Sequence, residues 1–203
     1  MVYTCHYESQ LGGILLAADE IGLTGLWFDG QKYFARELPA ERTEKEMPIL
    51  TETKRWLDIY FTGTEPDFLP LLHPIGSTFR QEVWKLLLQI PYGKTVTYGE
   101  LARQLAEKRG LPRMSAQAVG GAVGHNQISV LIPCHRVVGA NGSLTGYAGG
   151  IQKKVKLLEL EGTDVSGFFV SPKGTVLSGH QNRPRGSQTG ACPMAGQGVL
   201  PIR

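Results

Sequence analysis

Residues 64–76, "TEPDFLPLLHPIG", divide the chain into two unlike halves. Pro66, Pro70 and Pro74 are incompatible with a long helix or a central strand, and no apolar period crosses the stretch. It is predicted to be a linker, with a boundary near Ile75. Before it the apolar residues come in strand-like runs. After it they follow helical spacing. The expected fold class is α+β in two domains: a small N-terminal α/β domain over 1–75 and a mainly helical C-terminal domain over 76–163. A chain of 203 residues is long enough for two small cores. Residues 164–203 read as an extension. From about 178 it is rich in Gly, Pro, Gln and Ser, which predicts a disordered tail containing Cys192.

In the first half, "GILLAA" and "LTGLWF" are strand-like and joined by "DEIG", a hairpin. "PILTETKRWLDIYFTG" places Leu50, Thr53, Trp56, Leu57, Tyr60 and Phe61 at helical spacing between Pro48 and Gly63. In the second half, "STFRQEVWKLLLQIPYG" predicts a helix with Thr78 and Gln81 at capping-box spacing. "TYGELARQLAEKRG" predicts another, with Thr97 and Glu100 as its box. Ser115 then caps "AQAVGGAV", a helix of small residues, and the pair suggests a helix-turn-helix. Gly120 and Gly121 each cost about 1 kcal/mol relative to Ala in a helix interior. Close packing against another helix would compensate, and so would close approach to a nucleic-acid groove; different faces can do both. "ISVLIP" reads as a buried extended run, and "IQKKVKLLELEG" as a last helix ending at Gly162.

No apolar run reaches membrane-spanning length, because "GGILLAADEIGLTGLWF" is broken by Asp19 and Glu20. The N-terminus lacks the basic start and apolar core of a signal peptide, so a cytoplasmic protein is expected. Three cysteines, Cys5, Cys134 and Cys192, cannot all pair within one chain, which agrees with a reducing compartment. A net charge of +3 permits nucleic-acid contact without requiring it.

The chemistry concentrates in "LIPCHRV", Leu131–Val137. A cysteine after an apolar run is usually a small core residue. His135 and Arg136 change that reading, since both need water, a partner or a ligand. Cationic neighbours lower a thiol pKa and favour the nucleophilic thiolate. On an extended strand adjacent side chains point apart, so His135 would reach Cys134 only through a bend or a water. Zinc would want further Cys or His at close spacing, and the other histidines are scattered.

The order of blocks goes further. "VTYGELA", "AVGGAVGHN", "PCHRV", "GYAGG" and "LLELEG" follow one another between about Phe79 and Gly162. Together they resemble the active domain of the O6-alkylguanine-DNA alkyltransferases, the methylated-DNA–protein-cysteine methyltransferases. The N-terminal half resembles, more loosely, that family's small ribonuclease H-like α/β domain. The resemblance implies DNA repair by irreversible transfer of an alkyl group from O6-alkylguanine to Cys134, with O4-alkylthymine as a second possible donor base. It implies a monomer that meets double-stranded DNA from the minor groove. His135 would act through a water as the base, and Glu161 would orient it. Tyr98 would crowd the flipped nucleotide and protonate the leaving guanine. Asn126 would hold the turn before the active-site run. The backbone carbonyls of Cys134 and Val137 would read the guanine amino group, and Tyr147 would line the pocket. Ser115, Gln117 and Ala118 would lie on the DNA-facing helix. Arg136 joins the base-binding group, and its side chain is expected to brace the site through backbone hydrogen bonds.

No cofactor site is read, because "AVGGAVG" does not follow a strand and its glycines lie within a helix. A thioether has no easy leaving path, so the protein is expected to act once. The chain departs from the family pattern in three places. Gln117 stands where many members carry an arginine, and Ala148 where some carry a serine. Cys5 lacks a second cysteine, so no zinc is expected. Two other readings fit less well. A binding-only relative would lack the cysteine, and a plain helix-turn-helix regulator leaves "PCHRV" unexplained.

Overall fold

The computed structural model describes residues 1–170. The predicted disordered tail and Cys192 lie outside the described residues. The chain opens with an antiparallel meander, β1 (Tyr3–Ser9), β2 (Gly12–Ala18) and β3 (Leu23–Phe28). A two-residue strand, β4 (Thr43–Glu44), pairs parallel to β1 and gives the order β3-β2-β1-β4. The hairpin turn between β2 and β3 is held by Asp19, whose Oδ1 accepts from the Ile21 and Gly22 amides. β1 was not foreseen, although Cys5 and Tyr7 turn inward while His6 and Glu8 are exposed. β4 is too short to carry a pattern. Helix α1 (Pro48–Tyr60) begins at the predicted proline and buries Leu50, Thr53, Trp56, Leu57 and Tyr60. Each large apolar side chain so covered contributes about 1.5–3 kcal/mol.

The outer edge of β3 organises the rest. The Leu23 amide donates to Leu71 O at 2.8 Å, and the His73 amide to Leu23 O at 2.7 Å, which pins the proline-rich stretch. Further along, the Leu26 amide donates to Gln127 O at 2.8 Å, and Leu26 O accepts from the Ser129 amide at 3.0 Å. One strand edge thus carries both the proline-rich stretch and the run that leads to Cys134. The main hydrophobic cluster is continuous across the two halves, from Cys5, Ile14 and Trp56 to Leu101, Ile132 and Leu157.

Helices α2 (Thr78–Leu87), α3 (Tyr98–Lys108), α4 (Ala116–Gly124) and α5 (Ile151–Leu160) lie where the spacing predicts. The cap of α2 differs. Ser77, not Thr78, is extended and accepts from the Arg80 amide at 3.4 Å, while Gln81 donates back to Gly76 O. The serine one residue earlier has the backbone geometry a cap requires. The α3 capping box forms as expected between Thr97 and Glu100, and Ser115 caps α4. Short strand β5 (Val96–Thr97) pairs with β6 (Val137–Val138), which sets the start of α3 beside the residues after Cys134. A last pair joins β7 (Ser143–Leu144) to β8 (Phe169–Val170). Among the described residues, no helix is long and apolar enough to cross a membrane.

"ISVLIP" is buried, as expected, but it is not extended. Only Ile128 bridges to β3. Val130 has φ of 69°, Ile132 N donates to Ile128 O, and Cys134 N donates to Ile132 O at 2.8 Å. A β-branched residue in the left-handed region is strained by about 1–3 kcal/mol, so this tight turn needs surrounding contacts to persist.

Candidate active site

That turn delivers Cys134 to the start of a 3-10 turn, Cys134–Arg136. Its thiol is buried and receives the Asn126 Nδ2–H at 3.1 Å. Asn126 also donates to Ile132 O at 2.8 Å and accepts from the Ile128 amide at 3.0 Å. One buried amide therefore fixes both the strained turn and the sulfur. Burial raises the thiol pKa, against the lowering effects of Asn126, Lys154 and the backbone amides of Cys134 and His135. This reverses the expectation of a depressed thiol. The reason is burial: the thiol is enclosed, and the desolvation of its charged form outweighs every donor and cation around it.

His135 is fully buried. Its Nε2 lies 2.7 Å from Glu161 Oε1. Burial lowers the imidazole pKa and outweighs the raising effect of Glu161. For Glu161 burial acts upward, but the bonds from His135 and Arg136 prevail and hold the carboxyl at about 2. An ionised carboxylate only accepts, so Nε2 carries the proton and Nδ1 the lone pair. Nδ1 is buried and has no hydrogen-bond partner in the protein. A neutral, oriented imidazole with a bare acceptor atom, next to a protonated thiol, has the make-up of a general base.

Glu161 gathers donors from four residues on three segments, the first being His135 of the 3-10 turn. Arg136 reaches it through Nε at 2.9 Å and Nη2 at 3.0 Å, and anchors itself to Ile90 O at 2.6 Å through Nη1. The guanidinium is thus mainly bound to a carboxylate, with one backbone contact of the kind expected. Its hydrogen bonds within the protein run to Glu161 and Ile90 O. The Gly93 amide donates to Oε2 at 3.2 Å. Gly93 has φ of 68°, and a Cβ there would come within 2.7 Å of Glu161 O, so a side chain is excluded. The fourth donor is Tyr60, whose hydroxyl meets Oε1 at 2.7 Å.

The remaining predicted residues divide into two sets. Tyr98 starts α3, and its hydroxyl donates to Thr145 O at 3.3 Å and Gly146 O at 3.4 Å. Burial pushes its phenol up to about 12. Tyr147 is buried with its hydroxyl unpartnered, its ring 6.5 Å from that of His135 and at 82° to it. Ala148 is half-buried, and its carbonyl accepts from the Lys32 amide. The Cys134 carbonyl accepts from the Val137 amide. The Val137 carbonyl accepts from Lys154 Nζ at 2.5 Å, so each keeps one lone pair for a further donor. Ser115, Gln117 and Ala118 are exposed on the first turns of α4 and have no hydrogen bond to the Cys134 cluster.

Two residues of the cluster were missed in the sequence. Lys154 is fully buried, with Nζ also on Thr145 O at 3.1 Å, and burial drops its pKa to about 8. Its signal was readable: 154, 157, 158 and 161 share one helical face, so a lysine stands in an apolar stripe. Tyr60 looked like a core aromatic, and nothing in its spacing reveals where the hydroxyl points. No group of three or more potential metal ligands occurs among the described residues.

Comparison with known proteins places the chain in a family. Residues 1–71 match the family model described as 6-O-methylguanine DNA methyltransferase, ribonuclease-like domain. Residues 78–163 match the model for the DNA binding domain of the same protein. A methylated-DNA–protein-cysteine methyltransferase of Mycobacterium tuberculosis is 53% identical over 161 residues, covering 79% of this chain and 93% of that protein. One from Methanosarcina acetivorans is 45% identical over 163 residues, covering 80% and 99%. The crystal structure of M. tuberculosis OGT in complex with DNA superposes with a TM-score of 0.66 at 41% identity, covering 79% of this chain and 91% of that one. With both of its halves matched, and relatives at this identity aligned over nearly their whole length, the chain belongs to the 6-O-methylguanine DNA methyltransferase family.

Proposed function

We propose that the protein repairs DNA by moving an alkyl group from O6 of guanine to its own Cys134. The observation that carries this reading is the buried sequence of contacts Asn126–Cys134 and His135–Glu161–Arg136, with Nδ1 of His135 as the unpartnered acceptor. The thiol proton passes to Nδ1 of neutral His135 through one water, and Glu161 stabilises the imidazolium. The sulfur attacks the alkyl carbon in line as the carbon–O6 bond breaks. Tyr98 supplies a proton to the departing guanine, and Tyr147 and Ala148 line the base pocket. A base must leave the duplex to reach a buried thiol, at a cost of a few kcal/mol. The thioether formed has no route back. Oligonucleotide carrying O6-methylguanine should therefore lose one methyl per protein molecule and no more. Continued turnover, or no loss, would contradict the assignment.

Helices α3 and α4 form the helix-turn-helix in this reading, with α4 against the minor groove. The α4 glycines support it. A Cβ at Gly120 would meet only the Tyr98 ring at ordinary contact distance, and at Gly121 it would meet nothing within 4 Å. Internal packing does not require these glycines, whereas a backbone pressed against DNA would. Gly121→Ala should stabilise the fold by up to about 1 kcal/mol. Gly121→Leu should fold equally well yet bind DNA at least tenfold more weakly in a fluorescence anisotropy titration. Unchanged binding by the leucine variant would remove α4 from the interface.

Gln117 takes the position facing the gap left by the flipped base. It can hydrogen-bond to the orphaned base but brings no charge. Gln117→Arg should tighten binding several-fold at low salt, with a steeper loss as salt rises. An unchanged affinity would place the wedge elsewhere. The protein acts as a monomer in the cytoplasm, and needs no bound cofactor for the transfer.

A further inference from the structure

Tyr60 belongs to α1, yet its hydroxyl reaches the far side of the molecule's chemistry. It ends on Glu161 Oε1 at 2.7 Å and lies 3.3 Å from His135 Nε2. The ring is fully buried and held from three directions. Trp56 stacks on it at 5.1 Å, and Phe61 and Tyr92 meet it edge-on at 5.5 and 6.1 Å. A phenylalanine would fill this aromatic nest equally well. The hydroxyl is the part that the packing does not explain.

Oε1 of Glu161 is crowded. It accepts from His135, Tyr60 and the Nη2 of Arg136, while Oε2 accepts from Arg136 Nε and the Gly93 amide. Every donor added to an oxygen reduces its pull on the others. A carboxylate 2.7 Å from a buried imidazole, with nothing else to bind, would draw the pair toward imidazolium and carboxylate. An imidazolium cannot take the thiol proton. We propose that Tyr60 is a positioning residue for the alkyl transfer: its hydroxyl fixes the Glu161 oxygen that orients His135 and limits how strongly that oxygen polarises the ring, keeping His135 a free base. The N-terminal half would then contribute a functional group to the site as well as a scaffold. The inference rests on the alkyl-acceptor reading above.

The other charged and titratable groups around this pair are accounted for. Arg136, from the 3-10 turn, holds the carboxylate ionised. Lys154, from α5, is tied to Val137 O and Thr145 O. Cys134, Tyr147 and Tyr92 are held protonated by burial. Tyr60 itself is raised well above the ordinary phenol value, first by burial and then by Glu161, so it stays a donor across the working pH range.

Two measurements on Tyr60→Phe test this. In the first, the His135 ring nitrogens are titrated by NMR in protein with labelled histidine. Removing the donor strengthens the field of Glu161, stabilises the imidazolium and should move the His135 midpoint up by at least half a unit. In the second, the single-turnover rate of methyl transfer is followed between pH 5.5 and 9. Its acid limb should shift upward by the same amount, leaving the end point at one methyl per protein. A variant with a more acidic phenol, 3,5-difluorotyrosine at position 60, should move both midpoints down. An unmoved His135 midpoint, or a rate lowered by one factor at every pH, would overturn the role and leave Tyr60 as packing. Failure of the wild type to accept methyl would instead reject the alkyl-acceptor reading. The NMR result would still decide whether Tyr60 tunes His135.

Discussion

Cys134→Ala is expected to abolish methyl acceptance completely while leaving the fold and DNA binding in place. The loss is complete because no other described thiol can substitute: Cys5 is buried in β1 beside Lys54, and the adjacent His6 is exposed on the opposite face of the strand. The fold survives because the sulfur is held by one side-chain hydrogen bond, from Asn126. Without it, Asn126 keeps Ile132 O and the Ile128 amide, so the turn before residue 134 retains its brace. Removing a small buried side chain here should cost on the order of 1 kcal/mol. DNA affinity should match that of the wild type and fall with salt, since α4 and its approach to the groove are untouched. The measurement is a binding titration in parallel with a methyl-transfer assay. Residual transfer by the alanine variant would mean that another atom is the acceptor.

Glu161→Gln is expected to damage both stability and rate. The glutamine cannot neutralise Arg136, which would remain buried against Ile90 O and Tyr92 without its counter-ion. Breaking such a pair from one side costs about 3–5 kcal/mol. The imidazole would keep at most a neutral acceptor and lose the negative charge that stabilises its protonated form, and the transfer rate should fall by roughly a hundredfold. The pH dependence of stability separates the contributions. Glu161 is held at about 2 against an ordinary 4.5, so its contribution is fully present above 4.5 and disappears as pH falls toward 2. His135 is held below its ordinary 6.5, so the unfolded chain takes up a proton that the folded chain refuses. Stability should begin to fall once pH drops below 6.5. Urea unfolding of the wild type from pH 7 to 3 should show both losses, and the glutamine variant should lack the lower one. A wild-type curve flat across that range would contradict the charge assignment.

The sequence made some of this site visible and hid the rest for physical reasons. The helices and caps were readable because their signals are local: Pro48 at the start of α1, the Thr97–Glu100 box, Ser115 before α4. The geometry of Cys134 was not. The run before it has the composition of a buried strand, and only the contacts from β3 and Asn126 show that it turns through a left-handed valine. The thiol's rise in pKa was hidden likewise, since it comes from burial, and the turn that encloses the sulfur is set by those same distant contacts. Tyr60 and Glu161 lie 101 positions apart in sequence, a hydrogen bond that no periodicity can signal. Lys154 is the instructive contrast, because a lysine in an apolar stripe is legible to anyone counting faces of α5.

The account stands on one covalent bond. The protein should be mixed with a small excess of duplex oligonucleotide carrying O6-methylguanine, digested, and mapped by mass spectrometry. One methyl is predicted on the peptide containing Cys134 and none on those containing Cys5 or Cys192. A methyl on either other cysteine, or an unmodified Cys134 after the lesion has disappeared, would contradict it.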